Sequence, residues 1–402
     1  MNRFPYGKTF LLGFGFFGIS MIWPIFNSLI PPMLEDLRLS AVMIGFIMTW
    51  DNIINMFLQP YVGSLSDRTR TRFGRRKPFL MIGAPLAAVF FVLVPFARSL
   101  IVPLALAILA TNLAMALFRS PTVSYLGDLF KPEERSKANG VINLMGGLAG
   151  AVALFGGGAL YKIGVPLPFL VASAIMLASI ALVVAVVREE VSVRTVAPAE
   201  GQTGLGTNLR SLVSGTDKSG LYLLAAIFSW FVGWNAMEAF FTLYARNILE
   251  IDIGSGTQML TAFAAALILF AIPSGLLATR FGRRPTILVG LAGMLVGLLA
   301  GFVIRQPAVL LIVLAVMGAF WALININSLP MVYDLGGRSG IGALTGLYYF
   351  SSSAAAITGP ILAGGMIDLT GHSAIWIFSA LFIALAGFFM LRVRPDTAAP
   401  QA

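Results

Sequence analysis

Twelve runs of about twenty mostly apolar residues, parted by short polar segments, constrain this chain more than any other feature. A bilayer core of about 30 Å needs roughly 20 apolar residues per helix. Backbone groups inside lipid must also be paired within their own segment, so helices are the form such runs take. The runs fall at 9–30, 41–63, 78–97, 101–126, 139–162 and 166–187, then at 221–245, 256–279, 286–304, 308–330, 342–366 and 374–392. Only 11% of the 402 residues are charged, against about 25% in ordinary soluble proteins. Phe at 31 positions and Gly at 42 suit helices that face lipid outside and pack closely inside. The expected fold is all-α and integral to a membrane, with the lipid bilayer as solvent.

A formal charge of +10 raises the question of nucleic acid, and the distribution of the basic residues answers it. They sit in short loops and form no stripe on a polar domain, so no nucleic-acid partner is expected. Cys is absent and His372 is the single histidine, which leaves no disulfide framework, no thiol nucleophile and no His- or Cys-based metal site. No GxxxxGK[ST] phosphate loop is present, and no polar domain is long enough to hydrolyse ATP. The expectation is a protein that is not an enzyme and carries no cofactor. Met1 to Lys8 leads into the first apolar run without a small-residue cleavage site, which reads as a retained first helix.

A hydrophilic stretch at 188–220 divides the chain into two six-helix halves, 1–187 and 221–402, and reads as a linker. The halves repeat. Phe73-Gly74-Arg75-Arg76 recurs as Phe281-Gly282-Arg283-Arg284, a displacement of 208 residues that also carries Ser120 to Ser328 and Tyr125 to Tyr333. Three coincidences at one offset argue for duplication, and six spans per half make it a parallel repeat about an axis along the membrane normal. If the N-terminus is cytoplasmic, the outer loops hold only Arg38, Arg98, Lys162, Arg246 and Arg305, and Arg119 lies within a helix. Every other Lys and Arg falls on the inner side, so both termini are expected in the cytoplasm of a cell whose inner membrane holds the protein.

The loop GSLSDRTRTRFGRRKP from Gly63 to Pro78 and its shortened partner GLLATRFGRRP from Gly275 to Pro285 resemble the signature loops of the major facilitator superfamily. The QP…SDRTRTRFGRRKP spacing from Gln59, the RSPTVSYLGDL run from Arg119 and the ERSKANGVINLMGG run from Glu134 are similar to those of sucrose-transporter-like proteins and glycoside-pentoside-hexuronide cation symporters. The resemblance implies two pseudo-symmetric six-helix bundles working by alternating access, with a sugar-like small-molecule solute and function as a monomer. In the signature loop, Asp67, Arg68, Arg75 and Arg76, with Asp128 and Arg135, read as a gate latch of helix caps and ion pairs. The plainer reading of each arginine is positive-inside anchoring. Acidic residues contribute little to topology, so Asp67 and Asp128 need another reason to be there.

An ionisable group at mid-bilayer costs about 2.5–3.5 kcal/mol on insertion scales, so each marks a functional candidate. Asp51 lies near the middle of the second run, with Asn52, Asn55 and Gln59 on an arc of roughly 100° beside it. In melibiose-type symporters, which this stretch resembles, two acidic residues that bind the coupling cation align with Asn55 and Gln59. Both carboxylates are missing here, which turns the expectation from sodium to a proton carried by Asp51. A structural carboxylate paired with an arginine is the alternative. Arg119 shares a face with Asn112 on the fourth run, and the resemblance places an arginine there in the sugar site. It also suits a structural counter-ion for Asp51. Glu238 on the seventh run accompanies Trp230, Trp234, Asn235 and Thr242 and is a second candidate for proton coupling; a hydrated position near the outer surface is the plain alternative. Trp321, Asn325 and Ser328 form a stripe on the tenth run, and Tyr348 with Ser351 another on the eleventh.

These readings converge on a secondary transporter, a proton-coupled symporter of a disaccharide or other glycoside. The expected solute contacts are Arg119, Asn112, Asn52, Asn55, Gln59, Trp234, Asn235, Glu238, Asn325 and Tyr348. Proton-coupled efflux of an amphipathic drug or lipid is the alternative within transport, and an integral-membrane enzyme the alternative from another class.

Overall fold

The computed structural model describes residues 6–130, 132–187 and 218–394, without the side chains at 8, 126, 127, 132, 133, 135–137 and 334–344. All but the last three residues of the stretch at 188–220 lie outside this description. Among the described residues the structure is helix joined by turns, with one isolated bridge between Thr71 and Gly74. Twelve helical spans are long and apolar enough to cross a membrane. They run Thr9–Asp36, Ala41–Arg68, Lys77–Ala97, Ile101–Tyr125, Ala138–Ile163, Leu167–Val186, Ser219–Asn247, Ile253–Phe281, Arg283–Val303, Pro307–Tyr333, Thr345–Thr370 and Ala374–Arg392. The all-α, twelve-span fold expected from the apolar runs is the fold observed.

Two elements differ from their expected form. The second span is broken into Ala41–Met48 and Trp50–Arg68 at Thr49. There the backbone N–H donates to the Phe46 carbonyl at 3.1 Å and the hydroxyl donates to the same oxygen at 2.7 Å. A threonine that bonds back to its own helix competes with the regular ladder, and the break sets Asp51 in the first turn of the second segment. The tenth and eleventh spans belong to one helix, Pro307–Thr370, where the sequence suggested a loop. Loss of apolar character at 331–341 marked the edge of each span, yet polarity alone does not end a helix.

The chain forms two compact units, Met1–Val193 with Phe241–Ala264, and Arg194–Phe240 with Ala265–Ala402. In the first, the first span packs on the fifth and sixth, and the third on the fourth and sixth. In the second, the ninth packs on the helix Pro307–Thr370 and on the twelfth, so the third span's role recurs at the ninth. The repeated Phe-Gly-Arg-Arg turn also keeps its backbone: Gly74 has φ +107° and Gly282 φ +90°, a region L side chains rarely enter. Leu93, Leu106, Ile272, Val296 and Leu381 are exposed, as a lipid-facing surface requires.

Candidate functional site

The first unit gathers the charged candidates. Arg119 on the fourth span lies over the ring of Trp23 on the first, 5.5 Å from guanidinium carbon to ring centre, and within electrostatic reach of Asp51 on the second. Among the described residues no hydrogen bond or ion pair holds its guanidinium. Asp51 accepts from the Asn52 amide at 2.7 Å. Asn112 is 1% exposed, and neither its amide nitrogen nor its oxygen has a partner. The Trp23 indole N–H is likewise buried and unpartnered. Asn55 and Gln59 are half-buried and make no hydrogen bond to the described residues. This part of the first unit is therefore rich in unmet donors.

The second unit presents aromatic rings. Trp234 stacks on Trp321 with centres 5.1 Å apart and planes 24° apart. Phe231 meets Trp321 edge-on at 5.9 Å and Tyr348 at 6.3 Å, and Tyr348 meets Tyr349 at 5.3 Å. The polar groups among them bond inward. The Asn235 amide donates to its own helix at the Phe231 carbonyl, 2.7 Å away. Ser328 donates to the Asn325 carbonyl at 2.9 Å and shares a hydrogen bond with the Tyr348 hydroxyl at 3.2 Å. Trp230 is fully buried in packing. Thr242 is also fully buried. Glu238 is half-buried, one turn from Trp234.

The loop between the second and third spans forms an ion cluster. Arg76, only 4% exposed, pairs with Asp67 at 2.5 Å and Asp128 at 3.0 Å and donates to the Ser66 hydroxyl. Arg75 pairs with Asp128 at 2.5 Å. Arg68 is exposed and outside the cluster, and the Arg135 side chain lies outside the described residues. In the second copy of the turn the displacement of 208 carries Asp67 and Asp128 to Gly275 and Gly336. Arg284 donates instead to the carbonyls of Leu391 at 2.8 Å and Met390 at 3.4 Å, and Arg283 to that of Pro330 at 3.2 Å. Arg76 thus binds carboxylates, while Arg284 caps the carbonyls at the end of the twelfth span.

A second charged cluster, which the sequence reading did not single out, lies at the opposite end of the first unit. Arg246, closing the seventh span, pairs with Asp36 at 2.7 Å and with Glu35, and Asn247 donates to both Glu35 oxygens at 3.0 Å. Lys162 donates to Gln258 at 2.8 Å. A Cβ on Gly158 or Gly254 would strike the other's carbonyl oxygen, so the fifth and eighth spans touch backbone to backbone there. Asp252 caps the eighth span by accepting from the Ser255 N–H at 2.8 Å and its hydroxyl at 2.5 Å. Burial raises the pKa of this carboxyl, but the Ser255 bonds and the charge of Lys162 outweigh it, and the net direction is down. The adjacent acids Glu35 and Asp36, useless for topology, were the available signal. Trp23 carried none, because an aromatic in an apolar run looks like packing.

The sequence profile of the Major Facilitator Superfamily matches residues 12–259 and 247–402. The Sucrose transport protein SUC3 of Arabidopsis thaliana is 26% identical over 162 residues, which is 33% of this chain and 27% of that protein. Sucrose transport protein SUT1 of rice is 31% identical over 94 residues, 23% of this chain and 18% of the rice protein. The chain thus spans only about a quarter or less of these relatives. Multidrug resistance protein 2 of Bacillus subtilis is 22% identical over 379 residues, 94% of this chain and 90% of that protein. Among solved structures, a variant of the nucleoside transporter NupG superposes with a TM-score of 0.76 at 13% identity, covering 96% of this chain and 100% of its own. A bacterial homologue of the lysosomal transporter Spinster does so with 0.74 at 15%, covering 99% and 100%. These likenesses concern the fold.

Proposed function

We propose that this chain, which belongs to the major facilitator superfamily, is a proton-coupled exporter of an amphipathic, drug-like or lipid-like solute. It is a secondary transporter of the alternating-access type and not an enzyme. The observation that carries the choice of solute is the Trp234–Trp321 stack with Phe231 and Tyr348 at its edges. A glycoside needs hydrogen bonds for its many hydroxyls, but Asn235, Ser328 and Tyr348 already bond within the protein. What remains on this face of the second unit is a wall of rings, which favours an apolar body. Similarity along 94% of the chain to a multidrug resistance protein supports this reading.

Sugar symport is a second reading, favoured by the partial similarity to sucrose transport proteins and by the guanidinium of Arg119 over the Trp23 ring. In both readings Asp51 is the proposed proton carrier and Glu238 the next candidate. The inner-membrane location with both termini in the cytoplasm and function as a monomer belong to the same proposal, and no cofactor takes part.

The deciding experiment is counterflow in proteoliposomes under an imposed pH gradient, with radiolabelled naphthalene-bodied amphiphiles and sucrose compared side by side. Exchange of an amphiphile without exchange of sucrose supports export of amphipathic solutes. Exchange of sucrose alone overturns it in favour of the sugar reading.

A further inference from the structure

Three unmet polar groups in the first unit have a chemistry in common. Arg119 offers up to five N–H donors and no acceptor, the Trp23 indole offers one donor, and the Asn112 amide offers two donors and one acceptor. Among the described residues none has a hydrogen-bond partner, and the Asn112 side chain and Trp23 Nε1 are buried. Buried polar groups are rarely left unpaired, because each orphan forfeits its hydration. Asn112 and Arg119 are seven residues apart on one helix and therefore share a face, with Trp23 beneath the guanidinium. The nearest acid, Asp51, already takes the Asn52 amide at 2.7 Å. The donors exceed the acceptors, and what they lack is an oxygen-rich, negatively charged group.

From this juxtaposition we infer that the transported solute is an amphipathic anion, whose sulfonate, phosphate or carboxylate head is read by Arg119, Asn112 and Trp23. The inference rests on the amphipathic reading above and names the head group that reading leaves open. A guanidinium fork binds two oxygens of such a head at once, which an ammonium cannot do. An arriving anion competes with Asp51 for the guanidinium, and a protonated Asp51 leaves that guanidinium as the charge the solute meets.

The test uses one body with four heads on the full-length protein in proteoliposomes. Tritiated 2-naphthalenesulfonate is the counterflow substrate, and unlabelled 2-naphthalenesulfonate, 2-naphthyl phosphate, 2-naphthol and (2-naphthylmethyl)trimethylammonium are the competitors. Competition by the sulfonate or the phosphate should exceed that by the neutral and cationic compounds by about tenfold or more, the scale of a charge-assisted hydrogen bond. The stronger of the two anions identifies the head. Arg119→Gln should abolish the preference for anions, and Arg119→Lys should keep only a small part of it. An unchanged thermal unfolding midpoint in detergent shows that either variant is folded, and Asn112→Leu provides a second variant should both arginine changes unfold the protein. Equal or better competition by the trimethylammonium compound overturns the anion inference while leaving amphipathic export standing. Failure of every naphthalene compound, with exchange of labelled sucrose in the same vesicles, overturns both. Failure of all compounds including sucrose overturns the anion inference as well, since the sulfonate must be exchanged for it to hold.

Discussion

Arg246 holds Asp36 at 2.7 Å and also binds Glu35, so one guanidinium at the end of the seventh span grips two successive carboxylates at the end of the first. Breaking a charged hydrogen bond costs about 1.5–3 kcal/mol where it is shielded and less where solvent reaches it. Both acids and Asn247 converge on this point, so Arg246→Gln should loosen this end of the first unit. The natural absence of cysteine makes the check direct. Thr242→Cys places a single thiol at a fully buried site on the same span, and maleimide should label it about tenfold or more faster when Arg246→Gln is added. An unchanged labelling rate would remove Arg246 as a clasp.

The two copies of the Phe-Gly-Arg-Arg turn should respond differently to the same change. Arg76 serves Asp67, Asp128 and Ser66 from a buried position, so Arg76→Ala removes several charged hydrogen bonds at once and should cost about 2 kcal/mol or more. Arg284→Ala removes bonds to the carbonyls of Met390 and Leu391 and should cost about 1 kcal/mol. Transport should fall much further with Arg76→Ala than with Arg284→Ala at matched expression, because Arg76 carries ion pairs that can be made and broken. Equal losses of transport would mean that both turns are merely structural.

The Asp252 cap supplies a pH test. The folded-state pKa of Asp252 lies below its ordinary value, so the cap stabilises fully above the unfolded-state pKa and is lost as pH falls through the folded-state value. Asp252→Ala should cost about 1 kcal/mol at neutral pH. The gap in unfolding midpoint between the variant and the native protein should narrow steadily as pH is lowered into the acid range. A gap that stays constant would show that the carboxylate charge contributes nothing to the cap.

The stacked pair on the second unit predicts a loss confined to apolar solutes. Trp234→Ala removes one ring from the contact with Trp321, a pairing worth about 0.5–1.5 kcal/mol beyond its buried area. The affinity for naphthalene-bodied solutes should drop by about two- to tenfold, as read by counterflow competition. No change would place the solute elsewhere.

Span number and fold were legible in the sequence because length and apolarity, the properties that partition a helix into lipid, are also what the eye reads. The repeat was legible through the arginines, but the partners of Arg284 were not, since nothing in the turn's sequence says that it meets carbonyls. Arg119, Asn112 and Asp51 stood out because polar groups in lipid are expensive. Their ring partner Trp23 did not, because aromatic side chains are common everywhere in such a chain. Periodicity shows which residues share the Trp234 face. It does not show that Asn235 turns back to its own helix or that Ser328 is taken by Tyr348.

If Asp51 is the proton carrier proposed above, its neutral replacement should separate exchange from uphill movement. Asp51→Asn mimics the permanently protonated carboxyl, and should lose gradient-driven transport while retaining counterflow. Accumulation driven by a pH gradient in Asp51→Asn would move the coupling site, with Glu238 the next residue to change.

The central claim, proton-coupled export of an amphipathic solute, is tested most directly by following internal pH in lightly buffered proteoliposomes as solute is added. Addition of 2-naphthalenesulfonate should move protons across the membrane at a rate that saturates with solute and vanishes in Asp51→Asn, while sucrose at the same concentration moves none. Proton movement driven by sucrose and not by the sulfonate would contradict the account.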